Sequence, residues 1–527
     1  MTSIRSWRSY VTRTLMLLVL VADPGWSALQ EPLRVEGGRI TGTPTIQWTY
    51  GVRLYRGIPY AAPPVDDLRW RPPQPVAAWA GIKAADHFSP VCTQAPPDTQ
   101  GNAWREGHFP ISEDCLYLNV WTPAKGATDK LPVMVFIHGG GNVRGAASEN
   151  QYDGAYLAKK GVVFVSFNYR MGAFGFMAHP QLTAESDQHS SGNYAILDQI
   201  AALRWIQRNI ATFGGDPGNV MIFGHSAGAA NVCSLVASPL AKGLFHRALA
   251  QSGNCLNSRT TLADAEKNGV KLAESLGAGS LAALRQKTAE QILKAPRVAM
   301  GVNVDGWVLP QDAYSIIAAG RHNDVPLIVG TVADDAPGPG MGPVTAAQAS
   351  TNAQSTYKDL AGKYLRLYPA NTDEQAAQSA YKFRVQSAMA NARGWAKLQA
   401  EAGKSKVYWY YFTHTSPMPE GLMWGGRPAQ SWGAYHGSEI VYVFNAFPLQ
   451  DWEWRPVDLK LGDAVSSLWV NFAKTGSPNG SGLPEWPPYD PKSDMLMNFG
   501  DAPKAEPAPI REALDFIAGW TSLQRKQ

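Results

Sequence analysis

Residues 220–228 read Val220-Met221-Ile222-Phe223-Gly224-His225-Ser226-Ala227-Gly228, and Ala229-Ala230 follow. Four β-type residues run into a Gly-x-Ser-x-Gly pentapeptide, after which small residues can open a helix. A serine on so sharp a strand-to-helix turn holds its hydroxyl clear of the backbone. Gly224 and Gly228 lack the Cβ atoms that would collide across the turn. The amide of Ala227, first in the helix, is aimed where negative charge would develop. In a chain with 50 glycines, however, such a pentapeptide also arises by chance. The rest of the chain decides its meaning.

Around this stretch, apolar runs alternate with longer segments suited to helices. The runs fall at 133–137, 162–167, 220–223, 248–250, 325–329 and 407–412. Near-continuous apolar runs of that length mark strands buried on both faces. They predict an α/β fold with a large, mostly parallel sheet flanked by helices. The first hundred residues are rich in Pro and Trp, with short β-type runs such as 53–60. One domain over 29–527 is expected, with insertions around 335–406 and 416–433.

In such sheets ligands sit beyond the carboxyl ends of the strands. The residues found just past the runs are His138-Gly139-Gly140-Gly141, the Ser226 turn, Gln251-Ser252-Gly253, Asp334-Asp335 after Gly330, and a loop carrying His436. A serine hydroxyl needs a base to become a nucleophile, and an imidazole base needs a carboxylate to orient it. In this fold type the chain order is serine, acid, histidine. His246 and His322 come too early to follow an acid on a later strand. His414 lies directly on a strand end and better suits a turn or surface bond. His436 is the preferred base, with His414 second. Asp334 and Asp335 point to opposite sides of an extended segment, so one faces the base and the other caps a turn. Gly140, Gly141 and Ala227 can present three amides to an oxyanion; losing one such donor typically costs about 3–4 kcal/mol of transition-state stabilisation. The glycine run lacks the Gly-Lys-Ser/Thr ending of a phosphate-binding loop.

Composition bounds the rest. The 527 residues are 45% hydrophobic and 17% charged, with a formal charge of +4. Arg5, Arg8 and Arg13 stand against Asp23 in residues 1–28, which leaves +2 for the remainder. Neither nucleic acid nor an anionic membrane is implied as a partner. Three arginines, a short apolar stretch at 15–22 and small residues Gly25 and Ser27 predict an export signal over 1–28, cleaved after Ser27 or Ala28, and a secreted or periplasmic product. No later run is long enough to span a membrane. The four cysteines allow three pairings; the sequence-local one, Cys92 with Cys115 and Cys233 with Cys255, closes two loops that would each contribute roughly 3 kcal/mol. No metal or organic cofactor is expected.

Several ordered segments resemble the type-B carboxylesterase family, which includes cholinesterases and bacterial para-nitrobenzyl esterases. They are Tyr55-Arg56-Gly57-Ile58-Pro59-Tyr60-Ala61, Leu68-Arg69-Trp70, Ser112-Glu113-Asp114-Cys115-Leu116-Tyr117-Leu118-Asn119-Val120-Trp121, the glycine run, Asn168-Tyr169-Arg170, Phe213-Gly214-Gly215-Asp216-Pro217, the serine turn, Gln251-Ser252-Gly253 and the His436 loop. The resemblance implies an α/β-hydrolase fold, a deep gorge and hydrolysis of small-molecule carboxylic esters through an acyl-enzyme. It assigns Ser226, His436 and an acid as the triad and Gly140, Gly141 and Ala227 as the oxyanion hole. The family acid is the second of two adjacent acidic positions, which selects Asp335. It also implies the Cys92–Cys115 bridge, and Cys233–Cys255 resembles a pairing in some bacterial members. Acyl transfer to another alcohol, or a non-catalytic binding role, are the alternative functions on this framework.

Three positions depart from the family pattern. His225 stands where glutamate is usual and, as a neighbour of the nucleophile, should point away from it. Asp335 replaces the commoner glutamate. Asn142 replaces an aromatic and offers an amide to a polar acyl group. With Trp424, Arg427 and Tyr435 in the loop before His436, these departures suggest a polar or carboxylate-bearing ester.

Overall fold

The structure is a computed structural model describing residues 29–44, 51–95, 110–257, 260–335, 344–424 and 427–525; the export segment read at 1–28 lies outside them. Eleven strands of these residues form one sheet. In chain order they are β1 (Thr43–Pro44), β2 (Arg53–Pro59), β3 (Tyr117–Thr122), β4 (Leu131–Ile137), β5 (Val163–Phe167), β6 (Gly215–His225), β7 (Arg247–Gln251), β8 (Leu327–Val332), β9 (Val407–Phe412), β10 (Met495–Phe499) and β11 (Lys504–Pro507). Their spatial order is β11-β10-β9-β8-β7-β6-β4-β5-β3-β2-β1. The seven from β10 to β5 pair in parallel, and the flanking pairs are antiparallel. The expected mostly parallel sheet is therefore present, with antiparallel edges that the apolar runs did not announce.

The period-2 alternation of each strand divides the core. On β4, Val133, Val135 and Ile137 join a cluster on one face, while Met134 and Phe136 join a second cluster on the other. Helices α1 (Tyr194–Asn209), α2 (Ala227–Ala237), α3 (Asp373–Ala402) and α5 (Arg511–Arg525) cover the first face; α4 (Pro456–Thr475) covers the second with Leu461, Leu468, Trp469 and Phe472. Each large side chain buried this way contributes roughly 1.5–3 kcal/mol. Between β8 and β9 the chain forms helices, the last of which, α3, packs on both strands and on α5.

Register sets the site. Gly224 pairs with Ala250, His225 with Gln251, and Gln251 with Gly330, so β6, β7 and β8 end level with one another. The loops beyond them emerge at one edge. Two bridges are closed, Cys92–Cys115 at 2.10 Å and Cys233–Cys255 at 1.97 Å. The second ties α2 to the segment just after β7. No helix of the described residues is long and apolar enough to cross a membrane.

Candidate active site

Ser226 caps α2 with φ 58° and ψ −122°, a left-handed conformation for a residue with a side chain. Such a conformation costs about 1–3 kcal/mol and persists only where its surroundings hold it. The holding contacts are visible. The Ser226 amide donates to the Gln251 carbonyl at 2.8 Å. A Cβ on Gly228 would lie 2.0 Å from the Ile137 carbonyl oxygen, so the helix can approach β4 only as glycine. The positive end of α2 faces the space beside the serine.

After β4 the glycine run closes tightly, with the amides of Val143 and Arg144 donating to the Gly140 carbonyl at 3.2 and 3.1 Å. Gly140 has φ 107°, and a Cβ there would meet the Arg144 carbonyl at 1.9 Å. Gly140, Gly141, Ala227 and Ser226 all line one cavity of about 1280 Å³. Asn142 lines it too, but its amide is already engaged. Asn231 Nδ2 on α2 donates to Asn142 Oδ1 at 2.9 Å, and Asn142 Nδ2 donates to Asn231 Oδ1 at 3.3 Å. The amide expected to meet a polar acyl group therefore also braces the glycine run against the serine helix.

The two adjacent aspartates part company. Asp335 is buried and its Oδ1 is hydrogen bonded to His436 Nδ1, while its Oδ2 accepts from the Thr331 hydroxyl. Asp334 turns the other way. Its Oδ2 accepts from the Ala434 amide at 2.9 Å, its own amide donates to the Ala434 carbonyl at 2.9 Å, and Tyr381 OH donates to its Oδ1 at 3.2 Å. It anchors the loop that brings His436 back to the sheet edge.

Electrostatics follow from this geometry. Burial works to raise the Asp335 carboxyl, but the charge and hydrogen bond of His436, with Thr331, outweigh it and hold it below its ordinary value. Burial likewise works against the His436 cation, yet Asp335 and then Glu439 hold the imidazole above its ordinary value. The sequence reading missed Glu439. It is buried beside this pair, and burial, reinforced by the Asp335 charge, pushes its carboxyl up to about 7. Only its place three residues after His436 could have drawn attention to it.

The remaining candidates divide. His225 does not turn out of the site; its ring lies 4.6 Å from that of His436, tilted by 41°, and lines the same cavity. Tyr435 also lines it, and its backbone pairs with Asp334. Trp424 and Arg427 belong to a short hairpin whose side chains at these two positions lie outside those described. His414 is remote from this lining. It is buried with Nε2 2.6 Å from Asp458 and Nδ1 2.6 Å from Asp501, a hydrogen-bonded cluster that includes the start of α4. Arg144 and Arg297, unremarked in the sequence, line the cavity, whereas Asp335 is the one carboxylate among its described lining residues.

Comparison with known proteins identifies the family. A sequence profile described as the carboxylesterase family matches residues 30–517. The chain is 36% identical over 471 residues to a fumonisin B1 esterase of Sphingopyxis macrogoltabida, covering 85% of this chain and 83% of that protein. It is 33% identical over 536 residues to liver carboxylesterase 1F of Rattus norvegicus, covering 91% of each. It is 35% identical over 538 residues to carboxylesterase 1E of Mus musculus, again covering 91% of each.

Proposed function

The chain belongs to the carboxylesterase family and is a carboxylic ester hydrolase, and from that premise we propose that Ser226 is its nucleophile, His436 its base and Asp335 the acid that orients the base. The observation that carries this reading is the Asp335–His436 hydrogen bond in the cavity that Ser226 enters at a left-handed turn. His436 takes the Ser226 hydroxyl proton as the oxygen attacks the ester carbonyl. Asp335 holds Nδ1 protonated, so Nε2 is the free base, and stabilises the imidazolium that forms. The oxyanion is met by the amides of Gly140, Gly141 and Ala227. Collapse expels the alcohol with the proton returned by His436. Water then attacks the acyl-enzyme by the same steps in reverse roles.

For the substrate, we infer an ester whose acyl group carries a carboxylate. Support comes from the cavity lining, where Arg144 and Arg297 are cationic and the one carboxylate among the described lining residues is already paired with His436. A lining with that balance of charge attracts an anion. The sequence also supports export: the signal-like segment at 1–28 and two disulfides suit a secreted or periplasmic enzyme.

Replacing Ser226 by Ala tests the first part. The variant should fold and lose both ester turnover and labelling by a fluorophosphonate; retained turnover overturns the assignment. Measuring kcat/KM over size-matched esters with anionic and neutral acyl groups tests the second. Fumonisin B1 belongs in that panel because a relative bears its name. A preference for plain aliphatic acyl groups overturns the anionic reading.

A further inference from the structure

Glu439 is a buried acid to which the ester chemistry above assigns no task. It is 1% exposed, and its Oε1 accepts from Gln251 Nε2 at 3.5 Å. Gln251 is also the residue whose carbonyl accepts the Ser226 amide. One side chain therefore joins the end of β7, which steadies the serine's turn, to the loop that carries the base.

The groups facing Glu439 come from several elements. They are Gln251 on β7, Tyr410 on β9, Asp335 just past β8, and Tyr435 and His436 in its own loop. Burial and the Asp335 charge favour its neutral form, while a cationic His436 and the Gln251 donor favour the anion. Its charge in turn favours the cationic form of His436. An amide of the same shape would fill this space without an ionisation to suppress.

We propose that Glu439 is a positioning residue for the ester reaction: its carboxylate supports the imidazolium that His436 becomes, and its bond to Gln251 keeps the base loop aligned with the serine turn. The proposal rests on the reading of His436 as base. Glu439 exchanges no proton with the substrate. The serine proton moves to His436 Nε2 as the Oγ–carbon bond forms, and passes to the leaving alcohol as the ester bond breaks. Glu439 acts on that step only through its charge and its hold on the loop.

Groups this strongly coupled titrate as a set, so the pH profile of kcat/KM reports them together. Glu439→Gln keeps the shape and removes the charge. Its His436 loses a partner that holds the proton on, so the acid limb should move to lower pH by roughly half to one unit and follow a single ionisation. At pH 8 kcat should fall roughly three- to tenfold with KM little changed. Glu439→Asp, which restores the charge, should return part of the shift. Gln251→Met strips the donor from the carboxylate but keeps the backbone carbonyl that holds Ser226. It should move the limb the same way by less, and it serves as the test where Glu439→Gln does not fold. An acid limb unmoved in folded Glu439→Gln, or in Gln251→Met in its place, overturns the proposal. His436→Ala separates the two readings: if it retains turnover, the base assignment fails; if it is inactive while the Glu439 variants keep the native profile, only the present proposal fails.

Discussion

Asn142 and Asn231 face each other amide to amide, so the residue that follows the glycine run is fastened to the second turn of the helix that starts at the serine. The backbone amides proposed as oxyanion donors, on either side of this pair, are thereby held at a fixed separation. Because preorganised donors stabilise charge without rearranging, Asn142→Leu should lower kcat for every ester, by roughly tenfold, with KM nearly constant. An effect confined to esters with polar acyl groups, seen in KM, would instead make Asn142 a substrate contact. A double-mutant cycle with Asn231→Leu should show coupling of about 1–2 kcal/mol in transition-state stabilisation.

The adjacent aspartates should separate by assay. Asp335→Asn leaves the shape of the acid but removes the negative charge that faces His436, and kcat should drop roughly a thousandfold or more. Asp334→Asn can still accept from the Ala434 amide, so it should cost mainly stability, about 1 kcal/mol by denaturant titration, with kcat within a few-fold of native.

The buried carboxyl at 439 also makes a stability prediction with a definite sign. Its folded-state pKa lies near 7, above the value for a free glutamate. Stability from such a raised group is complete below the unfolded pKa of about 4.3 and is lost as pH rises through the folded one. Wild type should therefore lose ground to Glu439→Gln between roughly pH 4 and 7, and hold a constant deficit above that. Asp335, whose pKa is lowered, runs the other way: its contribution is present above the unfolded carboxylate range and lost as pH falls through its folded value. Melting temperatures of wild type, Glu439→Gln and Asp335→Asn, followed from about pH 2 to pH 9 so that both windows are covered, check the two slopes.

If the cavity reads an anionic acyl group, the two arginines that line it must matter unequally to charged and neutral substrates. Arg144→Gln with Arg297→Gln should reduce kcat/KM for a carboxylate-bearing ester by roughly ten- to a hundredfold and leave a neutral ester of the same size near its native rate. Rising ionic strength should narrow the difference in the native enzyme.

The Cys233–Cys255 bridge closes a loop with a sequence separation of 22. Replacing both cysteines by serine should lower stability by about 3 kcal/mol, measured by denaturant unfolding.

The serine turn, the glycine run and the parallel strands could be read from local pattern because each depends on neighbours in sequence: a β run, a missing Cβ, a small helix start. His436 needed the further rule that its loop follows the acid. What pattern could not reach were contacts made by distant segments. Nothing near Asn142 in sequence reveals Asn231, 89 residues on, as its partner. Glu439 looked like one more polar residue after His436; only the packing of β7 and β9 around it makes it buried. His225 was read only from its place beside Ser226; that its ring lies against His436 depends on the fold bringing two distant segments together. Arg144 and Arg297, 153 positions apart, share a site only because the fold brings both to one cavity.

Asp334 and Asp335 are alike in chemistry and differ only in which side of the chain they occupy, one gripping a backbone amide and the other an imidazole. The segment therefore works as a parity device. Deleting or inserting a single residue between the end of β8 and position 334 would exchange the two faces and leave the imidazole opposite the wrong neighbour. This stretch should accept changes of residue far more readily than changes of length, and libraries that vary its sequence at fixed length should yield active enzymes where indel libraries yield none.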